Sequence, residues 1–157
     1  MMENAVARVD VFKGLNKWQV DELMSWLQRQ EFAPGEEIFR EGQTPDGLYL
    51  LCQGRVSVNK ASSYGKMRLT ELEAPTFFGE MGLLNGAERS AAIKATTRVL
   101  CGLLPTEVFE AKLQAHNLTA HMIALNIGRL VCARLRDTNK KLASNTALMA
   151  KRRPVAR

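Results

Sequence analysis

The chain has 157 residues, and its 22 lysines and arginines outnumber its 16 aspartates and glutamates, which gives a formal net charge of +6. One domain is expected at this length, and it is large enough to build a core without disulfides or a structural metal. No segment approaches the roughly 20 apolar residues of a membrane span, and the N-terminus lacks the apolar core of a signal peptide. These features argue against a membrane protein and favour a cytoplasmic location.

The excess positive charge lies in the C-terminal part of the chain. Residues 1–128 contain 13 basic and 15 acidic residues, whereas residues 129–157 contain 9 basic residues and one acid, Asp137. Net charge bears on association with polyanions and does not determine a fold. The basic balance therefore belongs to one segment and not to the whole domain.

Three cysteines, Cys52, Cys101 and Cys132, are far apart in the sequence and form no CxxC pair. This spacing argues against a disulfide framework and against a zinc site. We expect three small, buried and reduced side chains.

The first predicted element is a helical segment over residues 9–30. Its apolar residues recur at helical spacing, and Asn16 is placed to cap the helix by accepting a backbone N–H. Over residues 32–104 glycine or proline then interrupts the chain every 8 to 12 residues. Short β-prone runs lie between these interruptions, at residues 47–52, 55–58, 67–72, 91–95 and 99–104. Evenly spaced short strands predict a β-jelly-roll barrel.

The turns and helices that complete this fold are also predicted. Tyr64-Gly65 and Asn85-Gly86 are typical of hairpin turns. After Pro105 a short helix is expected over residues 106–114, followed by a long one from about Asn117 to Leu142 or beyond.

Two rows of residues repeat every seven positions along the long helix, and this spacing is typical of a helix that pairs with another helix. Packing against its own barrel is the alternative for the first half. The rows are Leu118, Leu125, Cys132 and Asn139, and His121, Gly128, Leu135 and Leu142. The fold class is thus α+β, with a jelly-roll barrel between a short N-terminal helical segment and a long C-terminal dimerisation helix. We expect a domain over residues 1–145, with C-terminal helices over 105–145, and a disordered basic tail over 146–157.

The segment FFGEMGLLNGAERSAAIKATT, residues 77–97, carries the chemistry. Gly79 permits a positive φ or a close backbone approach, and Glu80 follows it as a single carboxylate. Arg89 and Ser90 offer a cation and a hydroxyl to a compact, singly charged phosphate, while a nearby carboxylate suits ribose hydroxyls. No GxxxxGK[ST] motif is present, so the pattern favours a nucleotide site without a triphosphate loop. A simple Glu80–Arg89 ion pair is the alternative interpretation.

This segment resembles the phosphate-binding cassette of the cyclic-nucleotide-binding domain family, in particular the sensor domains of bacterial cAMP receptor proteins. Other blocks follow in the family's order, namely VFKGLNKWQVDEL, PGEEIFREGQTPDGLYLLCQGRVSV and ARLRDTNKK, so that the resemblance covers about residues 11–142. The chain stops where the family's transcription factors continue into a helix-turn-helix domain. The loop between Glu80 and Arg89 is also one residue shorter than the family pattern.

The resemblance implies a role for each matching residue. Glu80 would bond the ribose 2′-hydroxyl with Gly79 close to the sugar, and Arg89 would pair with the cyclic phosphate with help from Ser90 and the amide of Ala91. Thr138 would bond the adenine amino group, and Asn139 of a second subunit would reach across. Asn139 replaces the family's hydroxyl, and as a polar residue in a seam it is equally expected to fix helix register. The residues implied to line the base are Val58, Leu69, Thr70, Phe78 and Arg134.

The expected function is a stand-alone homodimeric sensor of a 3′,5′-cyclic mononucleotide, with cAMP as the first candidate ligand. cGMP, a cyclic dinucleotide, or a dimeric scaffold that docks a protein partner through its basic tail remain alternatives. No enzyme is expected, because a metal-dependent barrel needs clustered histidines and His116 and His121 both lie outside the β region. No cofactor, metal or sequence-specific DNA contact is expected, since DNA reading of the family's type requires a recognition helix.

Overall fold

Eight strands between Gln28 and Pro105 form two four-stranded antiparallel sheets in the computed structural model, which describes residues 1–152. The first sheet has the order β1-β8-β3-β6, and the second has the order β2-β7-β4-β5. The strands are β1 (Gln28–Phe32), β2 (Glu37–Phe39), β3 (Gly47–Gln53), β4 (Arg55–Ser62), β5 (Gly65–Glu73), β6 (Thr76–Phe78), β7 (Ala92–Ala95) and β8 (Val99–Pro105). The helices are α1 (Met2–Arg8), α2 (Lys17–Trp26), α3 (Glu80–Asn85), α4 (Thr106–Gln114) and α5 (Leu118–Arg152), with a 3₁₀ turn at Asp10–Phe12. This arrangement confirms the predicted α+β fold with a jelly-roll barrel.

Strand β3 is buried on both faces and separates two parts of the core. Tyr49 and Leu51 point into the barrel interior, where both sheets contribute side chains. Leu48 and Leu50 point the other way and pack under the helices. A strand covered on both sides needs apolar residues at successive positions. This explains why residues 47–52 form a continuous apolar run.

The N-terminal region differs from the predicted helical segment at both ends. Helix α1 precedes the segment, and strand β1 begins at Gln28, inside it. The predicted cap at Asn16 is confirmed: its side chain accepts the Gln19 N–H at 2.9 Å, and the Gln19 side chain accepts the Asn16 N–H at 2.9 Å. This reciprocal pair satisfies two backbone donors that a helix start leaves free.

The five predicted β runs are all strands, but three strands were not predicted. The missed strands β1, β2 and β6 are three to five residues long, too short to show a clear alternating pattern. The hairpin predicted at Tyr64-Gly65 is confirmed, but its two turn residues are Ser63 and Tyr64, and Gly65 is the first residue of β5, paired with Ser62. The second predicted turn is wrong. Asn85 ends α3, and Gly86 caps it with a φ of +64° and an N–H bond to the Gly82 carbonyl.

Helix α5 has 35 residues and is anchored at its start. Glu22 of α2 accepts bonds from Asn117 Nδ2 at 2.6 Å and from Thr119 Oγ1 at 2.7 Å. The first half packs on the body through buried residues such as Ile123 and Ile127. Every residue from 132 to 152 is exposed. We call residues 132–152 the distal half of α5.

The predicted tail does not begin at residue 146. Residues 146–152 continue α5, because no glycine or proline interrupts the helix there. Residues 153–157 lie outside the described range. Of the cysteines, Cys101 is buried and Cys52 half-buried, but Cys132 is exposed on α5, contrary to expectation. Burial raises the pKa of the Cys101 thiol to about 12.

None of the helices within residues 1–152 combines the length and the apolar character that crossing a membrane requires. No cluster of three histidine, cysteine or acidic side chains in the same range could hold a metal ion.

Candidate functional site

Gly79 forms the sharp entry from β6 into α3 and contacts Arg89 directly. Its φ is +82°, a left-handed conformation that L side chains rarely adopt. A Cβ atom at this position would lie 2.5 Å from Arg89 Nη1 and 3.2 Å from the Gly47 carbonyl oxygen. Any side chain here would displace the guanidinium. The structure therefore requires glycine both for the turn and for the close approach.

The Arg89 guanidinium is buried, with 5% of the residue exposed. Its Nη2 donates to Asp46 Oδ1 and to the Gly47 carbonyl, both at 2.7 Å, and its Nη1 donates to the Gly79 carbonyl at 3.1 Å. Its Cζ atom lies 4.0 Å from the Phe39 ring centre. Within residues 1–152, Arg89 Nε is buried and has no hydrogen-bond partner. One donor of this cation thus still lacks an acceptor.

Asp46 is part of this site, although it was not among the predicted site residues and lies between the turn-forming residues Pro45 and Gly47. Its second oxygen accepts the Tyr49 hydroxyl at 2.7 Å. Burial and this hydrogen bond raise the pKa of Tyr49, so the hydroxyl stays protonated and donates. Asp46 is held between a tyrosine and an arginine. The sequence did contain an indication of this role, namely a carboxylate directly before a buried strand. The neighbouring turn-forming residues Pro45 and Gly47 made it look like part of an ordinary turn.

The backbone on either side of Arg89 is also held. Gly42 N–H donates to the Arg89 carbonyl at 2.8 Å, and Arg89 N–H donates to the Gln43 carbonyl at 2.9 Å. The neighbouring predicted residues are more open: Ser90 is exposed, and Ala91 is half-buried. The Ser90 carbonyl accepts Lys60 Nζ at 3.3 Å. Ser90 and Ala91 directly follow Arg89 in the sequence and lead into strand β7.

Glu80 is buried, with 6% exposure, and forms an ion pair with Arg134 of α5. The Arg134 guanidinium also lies 5.5 Å from the Phe77 ring centre, while its side chain is 57% exposed. The simple Glu80–Arg89 pair considered from the sequence is not formed, since each residue has a different partner. The cassette is joined to the long helix through Glu80.

The other predicted base contacts fall into separate groups. Val58 and Thr70 are opposite one another on β4 and β5, and Leu69 lies at a register shift between these strands with 49% exposure. Phe78 is only 4% exposed and stacks on Tyr49, with ring centres 5.2 Å apart. Phe78 is therefore placed in the barrel interior, among core residues.

Thr138 and Asn139 lie on the distal half of α5. Thr138 Oγ1 donates to the Arg134 carbonyl at 2.9 Å, one helical turn before it. Asn139 is exposed. Within the described chain, neither side chain has a hydrogen bond to the residues around Glu80 and Arg89. The structure brings Arg134 to the cassette and leaves these two residues on the same helix, one turn further on.

The sequence pattern described as "Cyclic nucleotide-binding domain" matches residues 29–116. The chain belongs to this family. It is 33% identical over 133 residues to the "Cyclic AMP receptor protein" of Thermus thermophilus, covering 84% of this chain and 60% of that protein. A "cGMP-dependent protein kinase" of Caenorhabditis briggsae is 29% identical over 127 residues, covering 80% of this chain and 16% of the kinase. The crystal structure of "Thermus thermophilus Catabolite Activator Protein" superposes with a TM-score of 0.78 at 30% identity, covering 87% of this chain and 63% of that one.

The family pattern covers the barrel of this cyclic-nucleotide-binding domain but not its long helix. Residues 29–116 include the cassette and the β4–β5 residues. They stop before α5, so Arg134, Thr138 and Asn139 lie outside the pattern. The chain also spans about 60% of the length of the curated relative named above. The roles of α5 therefore depend on its own contacts in this structure.

Proposed function

We propose that this cyclic-nucleotide-binding domain is a cytoplasmic, homodimeric sensor that binds a 3′,5′-cyclic mononucleotide, with cAMP as its ligand, and signals through α5. The observation that carries the proposal is the Arg89 guanidinium. It is buried, held by three acceptors, and retains an unpartnered Nε–H. A buried donor without a partner costs about 1–3 kcal/mol. An anion that accepts from this donor would remove that cost.

The donor count supports a compact anion. A guanidinium has five N–H donors, and three are used by Asp46, Gly47 and Gly79. Two donors remain for a phosphate. Asp46 partly balances the charge of Arg89, and its side chain is 45% exposed. A cyclic phosphate, with a single negative charge, suits a cation that is already partly neutralised.

Glu80 can bind the ribose, and its ion pair with Arg134 can transmit the binding event to α5. A carboxylate has two oxygens, and Arg134 bonds only one of the two on Glu80. The other oxygen can accept a ribose hydroxyl. Arg134 lies on α5. A ligand that changes the Glu80–Arg134 pair therefore also changes a contact that holds the long helix to the barrel. A ligand shifts such an equilibrium only through its different affinities for the two helix positions.

Exposed apolar residues in the two seven-residue rows of α5 support the dimer. Leu118 and Leu125 belong to the first row, Leu135 and Leu142 belong to the second, and Met149 lies seven positions after Leu142; all five are 54–73% exposed. A second copy of α5 would cover these residues in the manner of paired helices. Asn139 lies in the first row and would then face the partner.

The ligand itself is the finer part of the proposal. One relative is named for cAMP and another for cGMP, and this makes cGMP the second candidate. A dimeric scaffold that docks a downstream protein through the basic segment is the other alternative. The site offers groups that recognise an anion and hydroxyls, so we propose binding and no catalysed reaction.

The test is a ligand panel. Thermal unfolding and calorimetry with cAMP, cGMP and a cyclic dinucleotide should show the largest stabilisation with cAMP, about 2.7 kcal/mol at 100 times its Kd. A larger effect of cGMP would reassign the ligand. The absence of a shift with all three would contradict the sensor and favour the scaffold. Sedimentation with and without ligand would show whether dimerisation depends on it.

A further inference from the structure

A second group of arginines lies at the opposite end of the barrel from Arg89. Strand β3 starts beside the nucleotide site at Gly47 and ends six residues later at Gln53, about 20 Å away. At that end a cavity of about 510 Å³ opens between α1 and three turns of the barrel. We call it the arginine groove. Its lining residues are Arg8, Cys52, Gln53, Gly54, Arg55, Glu73, Ala74, Pro75, Thr97 and Arg98.

The floor of the arginine groove is fixed by hydrogen bonds between the turns. Arg55 N–H donates to Thr97 Oγ1 at 2.9 Å, and Ala74 N–H donates to the Gly54 carbonyl at 3.0 Å. Gly54 has a φ of +92°, and a Cβ there would lie 2.2 Å from the Arg98 carbonyl oxygen. The three turns are thus in direct contact. The groove is preformed and needs no folding step to receive a ligand.

Its charge is positive and only weakly compensated. Arg8, Arg55 and Arg98 face one lining acid, Glu73. Arg98 pairs with Glu31 at 3.0 Å, and Arg55 pairs with Glu71 at 3.6 Å, with arginine side chains 83% and 51% exposed. Exposed pairs of this kind contribute about 0–1 kcal/mol.

The partners of these pairs are also shared. Glu31 binds a second arginine, Arg29, at 2.7 Å, and Glu71 also pairs with Arg68. Among residues 1–152, Arg8 forms no ion pair within 4.0 Å. Three guanidinium groups can therefore turn to an incoming anion at little cost.

We propose that the arginine groove binds a phosphate monoester, carried either by a small molecule or by a phosphorylated side chain of a partner protein. Such a group has three terminal oxygens and a charge near −2 at neutral pH. Three arginines and one carboxylate provide one guanidinium for each oxygen and a matching excess of two positive charges. A carboxylate ligand, in contrast, would offer only two oxygens and one negative charge. The cavity also leaves room for the organic part that bears the phosphate.

The proposal is independent of the cyclic-nucleotide site. A cyclic phosphate is a diester with a single charge, so it lacks the third terminal oxygen and the second charge. The groove arginines are exposed, whereas Arg89 is enclosed by three acceptors. Each site can therefore bind or fail to bind without the other.

The test is a ¹⁵N NMR titration of the full chain with phenyl phosphate, and with phenyl sulfate as a singly charged ligand of similar shape. We expect saturable shifts of the Gly54, Arg55, Ala74 and Arg98 amides with the phosphate and much smaller shifts with the sulfate. Lowering the pH to 5 should weaken phosphate binding, because the second phosphate pKa is near 6. Equal binding of both ligands, or shifts confined to α5, would overturn the proposal.

Paired variants locate the site. Arg8→Gln/Arg98→Gln should weaken phenyl phosphate binding roughly 10-fold or more, as expected for losing charge-assisted contacts. Lys140→Gln/Lys141→Gln removes the same charge from exposed positions on α5 and should leave binding unchanged. An equal loss in both variants would contradict the assignment to the groove. Titration of the same samples with cAMP reports on the nucleotide site separately.

A peptide with a central phosphoserine, and the same peptide unphosphorylated, would separate the two sources of phosphate. Tighter binding of the phosphopeptide than of phenyl phosphate would indicate a partner protein. Equal or weaker binding would indicate a small molecule. Failure of both phosphate compounds to bind would refute the proposal.

Discussion

The barrel and the distal half of α5 obtain their structure from different sources. Every barrel strand is hydrogen-bonded to at least one neighbour, and two buried clusters, one inside the barrel and one under the helices, hold the sheets in place. The distal half is a helix in which every residue is exposed. Its main link to the body is the Arg134–Glu80 pair. One region is complete within a single chain, and the other displays an apolar row that its own chain does not cover.

The two regions therefore have different roles in the proposed function: the barrel binds the ligand, and the distal half of α5 transmits the signal. A buried, hydrogen-bonded cation needs a rigid frame, since the position of Arg89 depends on Gly79, Asp46 and Gly47. A signal needs an element that can change its contacts. Elements that move are drawn from the least stable parts of a protein. The distal half, with few contacts to lose, has this property.

The largest effect should separate core leucines from seam leucines. Leu50 is fully buried, so Leu50→Ala should lower the free energy of unfolding by about 2–5 kcal/mol. Leu142 is 64% exposed, and Leu142→Ala should change monomer stability by less than about 0.5 kcal/mol. Urea unfolding at low protein concentration measures both. Sedimentation should show weaker self-association only for Leu142→Ala, and unchanged association would refute the seam.

The next effect concerns the ligand anion. Arg89→Ala should weaken cAMP binding 10-fold or more, because a hydrogen bond to a charged group contributes at least about 1.5 kcal/mol. Arg29→Ala, which removes an exposed arginine paired with Glu31, is the matched control and should bind normally. Calorimetry decides between them. Equal affinities of wild type and Arg89→Ala would remove Arg89 from the site.

The smallest effect should come from the helix. Thr138→Val preserves the shape of the side chain and removes its hydroxyl, and one neutral hydrogen bond contributes about 0.5–1.5 kcal/mol. We expect cAMP affinity to fall roughly 2- to 10-fold, with the stability of the ligand-free protein unchanged. Calorimetry and thermal unfolding measure these two quantities. A loss as large as that of Arg89→Ala would mean that the helix, rather than the barrel, dominates binding.

The sequence predicted those parts of the fold that local chemistry determines. Glycine spacing and β-prone runs marked β3, β4, β5, β7 and β8, and Asn16 marked a helix start. Strand β1 consists mostly of charged and polar residues and lies at a sheet edge, where it needs little burial, and strands β2 and β6 have only three residues each. Asn85-Gly86 suits a hairpin and a helix end equally well, since both require a left-handed residue.

For the site, the sequence predicted the residues that lie within one short segment and missed the pairings between residues far apart in the chain. Gly79, Glu80 and Arg89 lie in one short segment whose order is informative. Asp46 lies 43 positions before Arg89, and Arg134 lies 54 positions after Glu80. Such pairings depend on tertiary packing, which no local pattern records. The extent of α5 was underestimated because a basic composition was interpreted as disorder, although the segment contains good helix formers.

The anchor at the start of α5 makes the long helix a lever. Glu22 holds Asn117 and Thr119, so a tilt of α5 would pivot at that end. At about 1.5 Å per residue, Arg134 lies roughly 25 Å from the pivot and Arg152 roughly 52 Å. A sideways step of about 1 Å at Arg134 therefore becomes about 2 Å at Arg152 if the helix stays rigid. A small change at one carboxylate of the barrel would be doubled in amplitude where the helix leaves the domain.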